Sequence, residues 1–564
     1  MGQGLFFFEN ALGALLRRRP NRVLSYGVDP NYGAFAAANT PGIAELNAQK
    51  NATFGFSPRF YVALDEKVKN PQWLSRTNSS LEAQTYKNFS FGERPWTASF
   101  DYLLYISEGD VLAPDALYCF ARAIEKNPDA DLLYADEDIM GESGERHAPH
   151  LKADFNEYTL LSYNCIGRPL VSSRAVFERC GEQLSSGAGD EYEYALRCAS
   201  RSETILHIPR VLYARRVHED DIGSAKGRAA IDAYLAQKRL HGCAADGLYE
   251  NSFRTAVVPR KSPRVSIVVM ADGQLSPLRR LLESIEENTI YDDYRIVVAA
   301  RKKGEPRFET YLSLLQKNGA AKVVNCEGLS YAKACEAAAR AVPCDTLVFL
   351  NVHAQIVSPV WLDAILEQLY RFGVGAVGGK LVDENGRIAH AGLVLGLCGL
   401  AQSPFYGSEN NEDDLFKNRF INAIRGVSAL SGSLLAVTRE VFLGTGGFDD
   451  GFGSECAPVL FCQKLMKNGL ACVYTPFCQV RVCAGWNDAL DETPTSRFMA
   501  FAALKEALGK GDPYYSKNYT RSNVIPSVRL PEEVNADSTV FGEDVNIWSK
   551  SVGAACPKDN EKLQ

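Results

Sequence analysis

With 564 residues, 61 Lys+Arg against 68 Asp+Glu and a net charge of −7, the chain is long enough for two or three domains. The 46% apolar and 23% charged fractions are those of a globular chain, and the acidic balance argues against a protein built to neutralise nucleic-acid phosphates. No run reaches the ~18 apolar residues of a membrane span, and the best stretch, 390–401, is short and glycine-rich.

At the N-terminus the apolar stretch Leu5 to Leu16 precedes Arg17-Arg18-Arg19, the reverse of a secretory signal, and reads as a helix packed on the first domain. Fifteen cysteines, scattered and without a CxxC pair, read as small buried hydrophobes in a reducing compartment. The expected location is therefore cytoplasmic, with contact at most at the inner face of the membrane. Residues 1–56 read as an N-terminal extension.

A first block, 57–250, opens with Ser57-Pro58-Arg59 and an apolar run from Phe60, followed by Phe89-Ser90-Phe91 and the strand Tyr102–Ile106. Only Gly92 to Ser99 lies between the last two, too few for the dozen or more residues of a parallel crossover, so a strand–helix unit is expected to be missing. A second block, 262–530, opens with Ser262-Pro263-Arg264. Val265–Met270 and Tyr294–Ala299 are continuous apolar runs, as buried parallel strands are, with Leu278, Leu281, Leu282 and Ile285 at helical spacing between them. A strand at Leu347–Leu350 precedes a helix patterned on Trp361, Leu362, Ile365, Leu366 and Leu369. The tail, 531–564, is polar and aperiodic, and is expected to be disordered.

The two blocks repeat one another. Ser57-Pro-Arg matches Ser262-Pro-Arg, Asp101-Tyr-Leu-Leu-Tyr-Ile matches Asp345-Thr-Leu-Val-Phe-Leu, and Arg174-Ala-Val-Phe matches Arg439-Glu-Val-Phe, in order and at growing offset. Two copies of one α/β domain are expected, the first abbreviated, with ligands beyond the carboxyl ends of the strands.

The run SIVVM, the helix LRRLLESIEENTIYDDY, the strand LVFLN followed by IVSPVWL, then VGAVGGKLVDENGRIAHAGLVLG, GTGGFDD and GDPYYSKNY resemble the bacterial family 2 glycosyltransferases of surface-polysaccharide synthesis. WLSRTNSSLEAQTYKNF and VLAPDALYCFARAIEKNPDADLLYADED resemble the first domain of their tandem members. The resemblance implies two tandem GT-A (Rossmann-like) domains. It also implies hexosyl transfer from a nucleotide-diphosphate sugar to a glycan acceptor, a divalent cation (Mn²⁺ or Mg²⁺), and other glycosyltransferases as partners.

Such a transferase offsets the departing diphosphate with a cation on an Asp-x-Asp and needs a carboxylate base. In the first copy Ser107-Glu108-Gly109-Asp110 stands at the metal position: Glu108 and Asp110 either hold a cation at i and i+2 or form a solvated acidic turn. Asp136 and Asp138 either line the acceptor side or sit in an idle acidic loop. Glu191, in Glu191-Tyr192-Glu193, stands at the position of the base, one methylene longer than the family's Asp. The strand after Ser57 ends in Asp65-Glu66-Lys67, and Ala214 replaces a family His.

In the second copy Asn351-Val352-His353 leaves His353 as the remaining metal ligand. Ala300 replaces a nucleoside-binding acid, Ala457-Pro458-Val459-Leu460 deletes the base, and Val482 and Cys483 replace paired histidines. His390 reads as structural. The second copy is expected to be inactive, and the alternative for the whole chain is a pseudo-transferase that scaffolds or binds glycan, with Trp96, Trp361 and Trp486 able to stack on sugars.

Overall fold

The computed structural model describes residues 29–64, 70–183, 188–216, 224–259, 261–410, 414–487 and 490–530. The segments 1–28 and 531–564, and Asp65-Glu66-Lys67, lie outside them.

Two mixed sheets follow one another along the chain. The second is built in the order Lys322–Asn325, Tyr294–Ala300, Val265–Ala271, Thr346–Asn351, Leu434–Thr438, Val374–Val382, Ala471–Val482 and Ala354–Ile356. The first runs Phe89–Gly92, Phe60–Leu64, Tyr102–Ile106, Leu170–Ser173, Leu132–Met140, Ile205–Arg215 and Val111–Leu112. The orders superpose strand for strand, including the inner strand that enters antiparallel, Leu170–Ser173 in the first and Leu434–Thr438 in the second, and the antiparallel edge strand, Val111–Leu112 and Ala354–Ile356. The architecture is thus the tandem α/β pair implied by the resemblance. Among the described residues of the first copy nothing corresponds to the outer strand Lys322–Asn325 or to its flanking helices Pro306–Lys317 and Tyr331–Arg340.

That unit is missing as expected, but not for want of crossover length. Phe89–Gly92 and Tyr102–Ile106 both run parallel to Phe60–Leu64, one on each side, so the chain does make a crossover between them. It needs only residues 93–101 and one 3₁₀ turn, Pro95–Thr97. The strand left behind is four residues, about 13 Å, and the sideways step spans two strand spacings, about 10 Å. Nine residues reach about 30 Å when extended, so no helix is required.

The repeated sequence matches meet at one corner of each copy. Asp101 accepts from the Arg59 backbone N–H at 2.7 Å, and Asp345 from that of Arg264 at 2.8 Å. The carbonyls of Asp101 and Asp345 accept from the N–H of Arg174 and Arg439. Ser173 and Thr438 cap the helices that begin there, each accepting from the third residue of its helix at 3.3 Å. A buried strand start has orphan backbone groups, and one carboxylate satisfies them in both copies.

The copies pack on each other through polar anchors. Arg254 forks onto Glu367 at 3.0 and 2.8 Å with both side chains buried, Ser162 accepts from the N–H of Ile424 at 2.9 Å, and Asn156 from that of Gly426 at 3.2 Å. The Gly511–Tyr519 stretch does more than close the second copy. Asp512 holds the N–H of Leu395, Asn518 reaches Asp136 of the first copy at 2.8 Å, and Tyr515 and Tyr519 share a cluster with Leu151 and Tyr32.

Candidate functional site

The turn after Tyr102–Ile106 is held from both sides. Gly109 has φ +90°, and a Cβ there would stand 2.8 Å from Nε of Arg216, so this position is glycine by necessity. The Thr77 hydroxyl accepts from the Gly109 N–H and donates to the Asp110 carbonyl, both at 2.9 Å. This geometry aims Asp110 into the protein, where it is fully buried.

Asp110 meets an arginine there. Nη1 of Arg168 donates to Asp110 Oδ2 at 2.8 Å, to the Tyr213 hydroxyl at 3.3 Å, and to Ser107 Oγ; its Nε donates to Glu191 Oε2 at 3.2 Å. Tyr213 donates to Asp110 Oδ2 at 2.6 Å, and the Arg216 N–H to Oδ1 at 2.8 Å. Arg168 is 4% exposed. Burial opposes its charge, but Glu191, Tyr213 and Asp110 together hold its pKa well above the ordinary value.

Two of the residues expected at the transfer centre, Asp110 and Glu191, are therefore brought together, but around a guanidinium. Both oxygens of Asp110 are engaged, so the Glu108/Asp110 pair is not disposed to share an ion. Glu108 is buried, 5% exposed, and neither carboxylate oxygen has a hydrogen-bond partner. Glu191 lies on the helix Ala188–Ala199, where i and i+2 diverge: it turns inward to Arg168, with Arg215 at 3.7 Å, while Glu193 pairs with Arg197. No group of three His, Cys, Asp or Glu side chains able to hold a metal occurs among the described residues. The donor set at this centre does not fit a divalent cation.

Asp136 and Asp138 are not in a loop. The strand continues through them to Met140, and pairing with Ile205–Arg215 buries both. Asp136 accepts from Lys152 N at 2.8 Å, His207 Nε2 at 2.8 Å and Asn518 Nδ2 at 2.8 Å, which leaves it no access to an acceptor. Asp138 is clamped by Arg146 at 2.7 and 2.6 Å and by the Tyr32 hydroxyl. Burial raises its pKa, and Arg146 and Tyr32 only partly oppose the rise. Between them Glu137 faces Lys152 and His150. Burial alone would raise its pKa, but Lys152 and His150 hold it far below the usual range.

In the second copy His353 lies 3.6 Å from Asp272 Oδ2, its Nδ1 has no partner, and Asn351 is spent on Trp486 O and the His353 N–H. Asp272 feels the burial penalty first, yet the His353 and Gln274 contacts leave its pKa lowered. Arg301 pairs with Asp491, which also accepts from Tyr331 N at 2.8 Å. Ala457 to Leu460 are buried in the helix Cys456–Lys467. His390 is buried, 1% exposed, and burial lowers its pKa to about 3, as a structural histidine requires. Trp361 is wholly buried and donates to Thr289, so it cannot stack on a sugar; Trp96 is half exposed and packs on Phe177.

Arg168, Lys152, His207, Asp272 and Asp491 went unread in the sequence because none of the quoted motifs contains them, and Asn518, though inside GDPYYSKNY, was not singled out. A balance of buried charges was the one available signal: acids this deep need cations.

No family model matches the chain. It is 26% identical over 524 residues to the uncharacterised protein y4gI of Sinorhizobium fredii, covering 86% of this chain and 56% of that one. It is 28% identical over 460 residues to the O-antigen biosynthesis protein RfbC of Myxococcus xanthus, covering 79% and 36%. The chain thus spans about half or less of these relatives' length. Among solved structures, GalNAc-T7 with UDP, GalNAc and Mn²⁺ overlays at TM-score 0.34 with 14% identity over 54% of this chain and 58% of that one. The mannosyltransferase PcManGT of Pyrobaculum calidifontis, with GDP-Man and Mn²⁺, overlays at 0.33 with 15% identity over 53% and 75%.

Proposed function

We propose that the protein is a glycosyltransferase-like component of surface-polysaccharide synthesis whose metal-dependent transfer centre is closed by an internal cation. The observation that carries the reading is Arg168, bonded at once to Asp110 and Glu191, the two carboxylates that stand at the metal and base positions. A bound cation would have to displace a guanidinium that loses four hydrogen bonds, with no water to replace them in a site this buried. The second copy offers no substitute, because His353 has one carboxylate neighbour and Arg301 pairs with Asp491. The role that remains is to scaffold or bind the glycan machinery, and the O-antigen biosynthesis relative supports a surface-glycan setting.

One observation favours a second reading, hexosyl transfer by the first copy from a nucleotide-diphosphate sugar to a glycan acceptor. Glu108 keeps two unpartnered oxygens next to the closed centre. Calorimetric titration with UDP, GDP and dTDP, each with and without Mn²⁺, separates the two. Closure predicts dissociation constants of about millimolar or weaker and no Mn²⁺ effect, whereas micromolar Mn²⁺-dependent UDP binding refutes it.

A further inference from the structure

Between the copies lies a cavity of about 270 Å³, walled by Glu137 and His150 of the first, Phe405, Phe416 and Arg419 of the second, and Tyr519 of the C-terminal stretch. A smaller void of about 60 Å³ adjoins it and shares His150, Phe416, Arg419 and Tyr519. Neither includes the Arg168 centre.

Two polar groups here have bonding capacity left over, one half-buried and one buried. Arg419 lies in the last turn of the helix Leu415–Ile421 and makes no ion pair or hydrogen bond among the described residues. Glu137 is 94% buried; its Oε1 is engaged by His150 and the Arg168 N–H, but its Oε2 has no partner. The buried Oε2 carries a desolvation cost that a donating ligand would remove, and the half-buried guanidinium, with no internal partner, is left to receive an anion. The wall also holds three aromatic rings, with Phe405 and Phe416 6.0 Å apart and Phe416 and Tyr519 5.7 Å apart, and the carboxylates of Asp29, Asp138 and Asp414, each of which already accepts hydrogen bonds within the protein.

From this we infer that the cavity between the copies binds a single sugar unit bearing one anionic group, with the anion on Arg419, a hydroxyl donating to Glu137 Oε2, and the ring against Phe416 and Tyr519. A guanidinium fork suits a phosphate or carboxylate. The volume lies just below the ~300–1,000 Å³ of pockets for drug-sized ligands, which admits one ring and excludes a whole nucleotide sugar. His150 is uncharged beside it, since burial, helped by Arg419, lowers its pKa to about 3, so the anion falls to Arg419. The sugar class rests on the proposed function; the anion site does not.

The test is calorimetry of the full chain in EDTA with glucose 1-phosphate, glucuronate, glucose and inorganic phosphate, repeated on Arg419→Gln and Phe416→Leu. Arg419 makes no internal bond, so Arg419→Gln is expected to keep the wild-type melting midpoint. Binding of glucose 1-phosphate or glucuronate at least tenfold tighter than of glucose or phosphate, and weakened tenfold or more by Arg419→Gln, supports the site; whichever of the two binds names the anion. No binding of either, equal binding of glucose or phosphate, or indifference to Arg419→Gln overturns it. EDTA removes the metal, so failure here leaves the Mn²⁺–nucleotide titration as an independent test of closure.

Discussion

Replacing Arg168 by Met keeps much of the side-chain volume and removes the charge. Asp110 retains Tyr213 and the Arg216 N–H, but Glu191 is left with only Arg215 at 3.7 Å, so one buried carboxylate loses its direct counter-ion. Breaking a buried ion pair from one side costs about 3–5 kcal/mol. With a urea slope of about 2–3 kcal/mol per molar, the unfolding midpoint should move down by about 1–2 M. Adding Glu191→Gln removes the orphaned charge and should recover part of the loss. If the guanidinium stands where a cation would, Mn²⁺ should also raise the midpoint of Arg168→Met and leave the wild type unchanged. A single-variant cost below about 1 kcal/mol, or a double variant no more stable than the single, would refute the closed-centre account.

Three further outcomes are expected from the geometry. If the first copy transfers sugar after all, Glu191→Gln should cut the rate by about 10²–10⁴-fold in a donor-turnover assay, while Asn351→Ala with His353→Ala should leave it within a few-fold. His150 and His390 have pKa values lowered to about 3, so the unfolded chain binds protons below pH 6.5 that the native state refuses; stability is present above pH 6.5 and is lost as pH falls toward 3. That loss should approach ~1.4 kcal/mol per pH unit per histidine, and Gln at either position should flatten urea midpoints measured against pH, with His207, whose pKa Asp136 and Asp154 raise against burial, working in the opposite sense. Arg254→Met strands Glu367 at the contact between copies and should split a single urea transition into two; an unchanged, single transition counts against a stabilising role for that pair.

The fold was legible because it is written in local patterns: continuous apolar runs for strands buried on both faces, and 3.6-residue spacing between them. The repeat was legible for a sharper reason. Its three matched pieces carry the Arg–Asp–Arg corner that satisfies the strand starts, so the two copies keep the same residues for the same hydrogen bonds. The short crossover was misjudged because the usual length of a connection was applied where the chain had only to run back along a four-residue strand and step past one neighbour.

The site was legible only as a set of acids. Asp110, Glu191, Asp136 and Asp138 stand out along the chain, but their roles depend on cations and amides far away in it: Arg168 is 58 residues from Asp110, and Asn518 is 382 from Asp136. The Arg168 centre also gives the longer side chain at 191 a physical sense. A base must hold its oxygen within a fraction of an ångström of the acceptor hydroxyl, and one added methylene spoils that geometry. An ion pair tolerates the same displacement, because the guanidinium presents several donors and can shift with its partner. Glu191 reaches Nε while Asp110, fixed by its glycine turn, takes Nη1. On the proposed function, the longer side chain at 191 and the buried Arg168 belong together, in a centre that supplies its own positive charge.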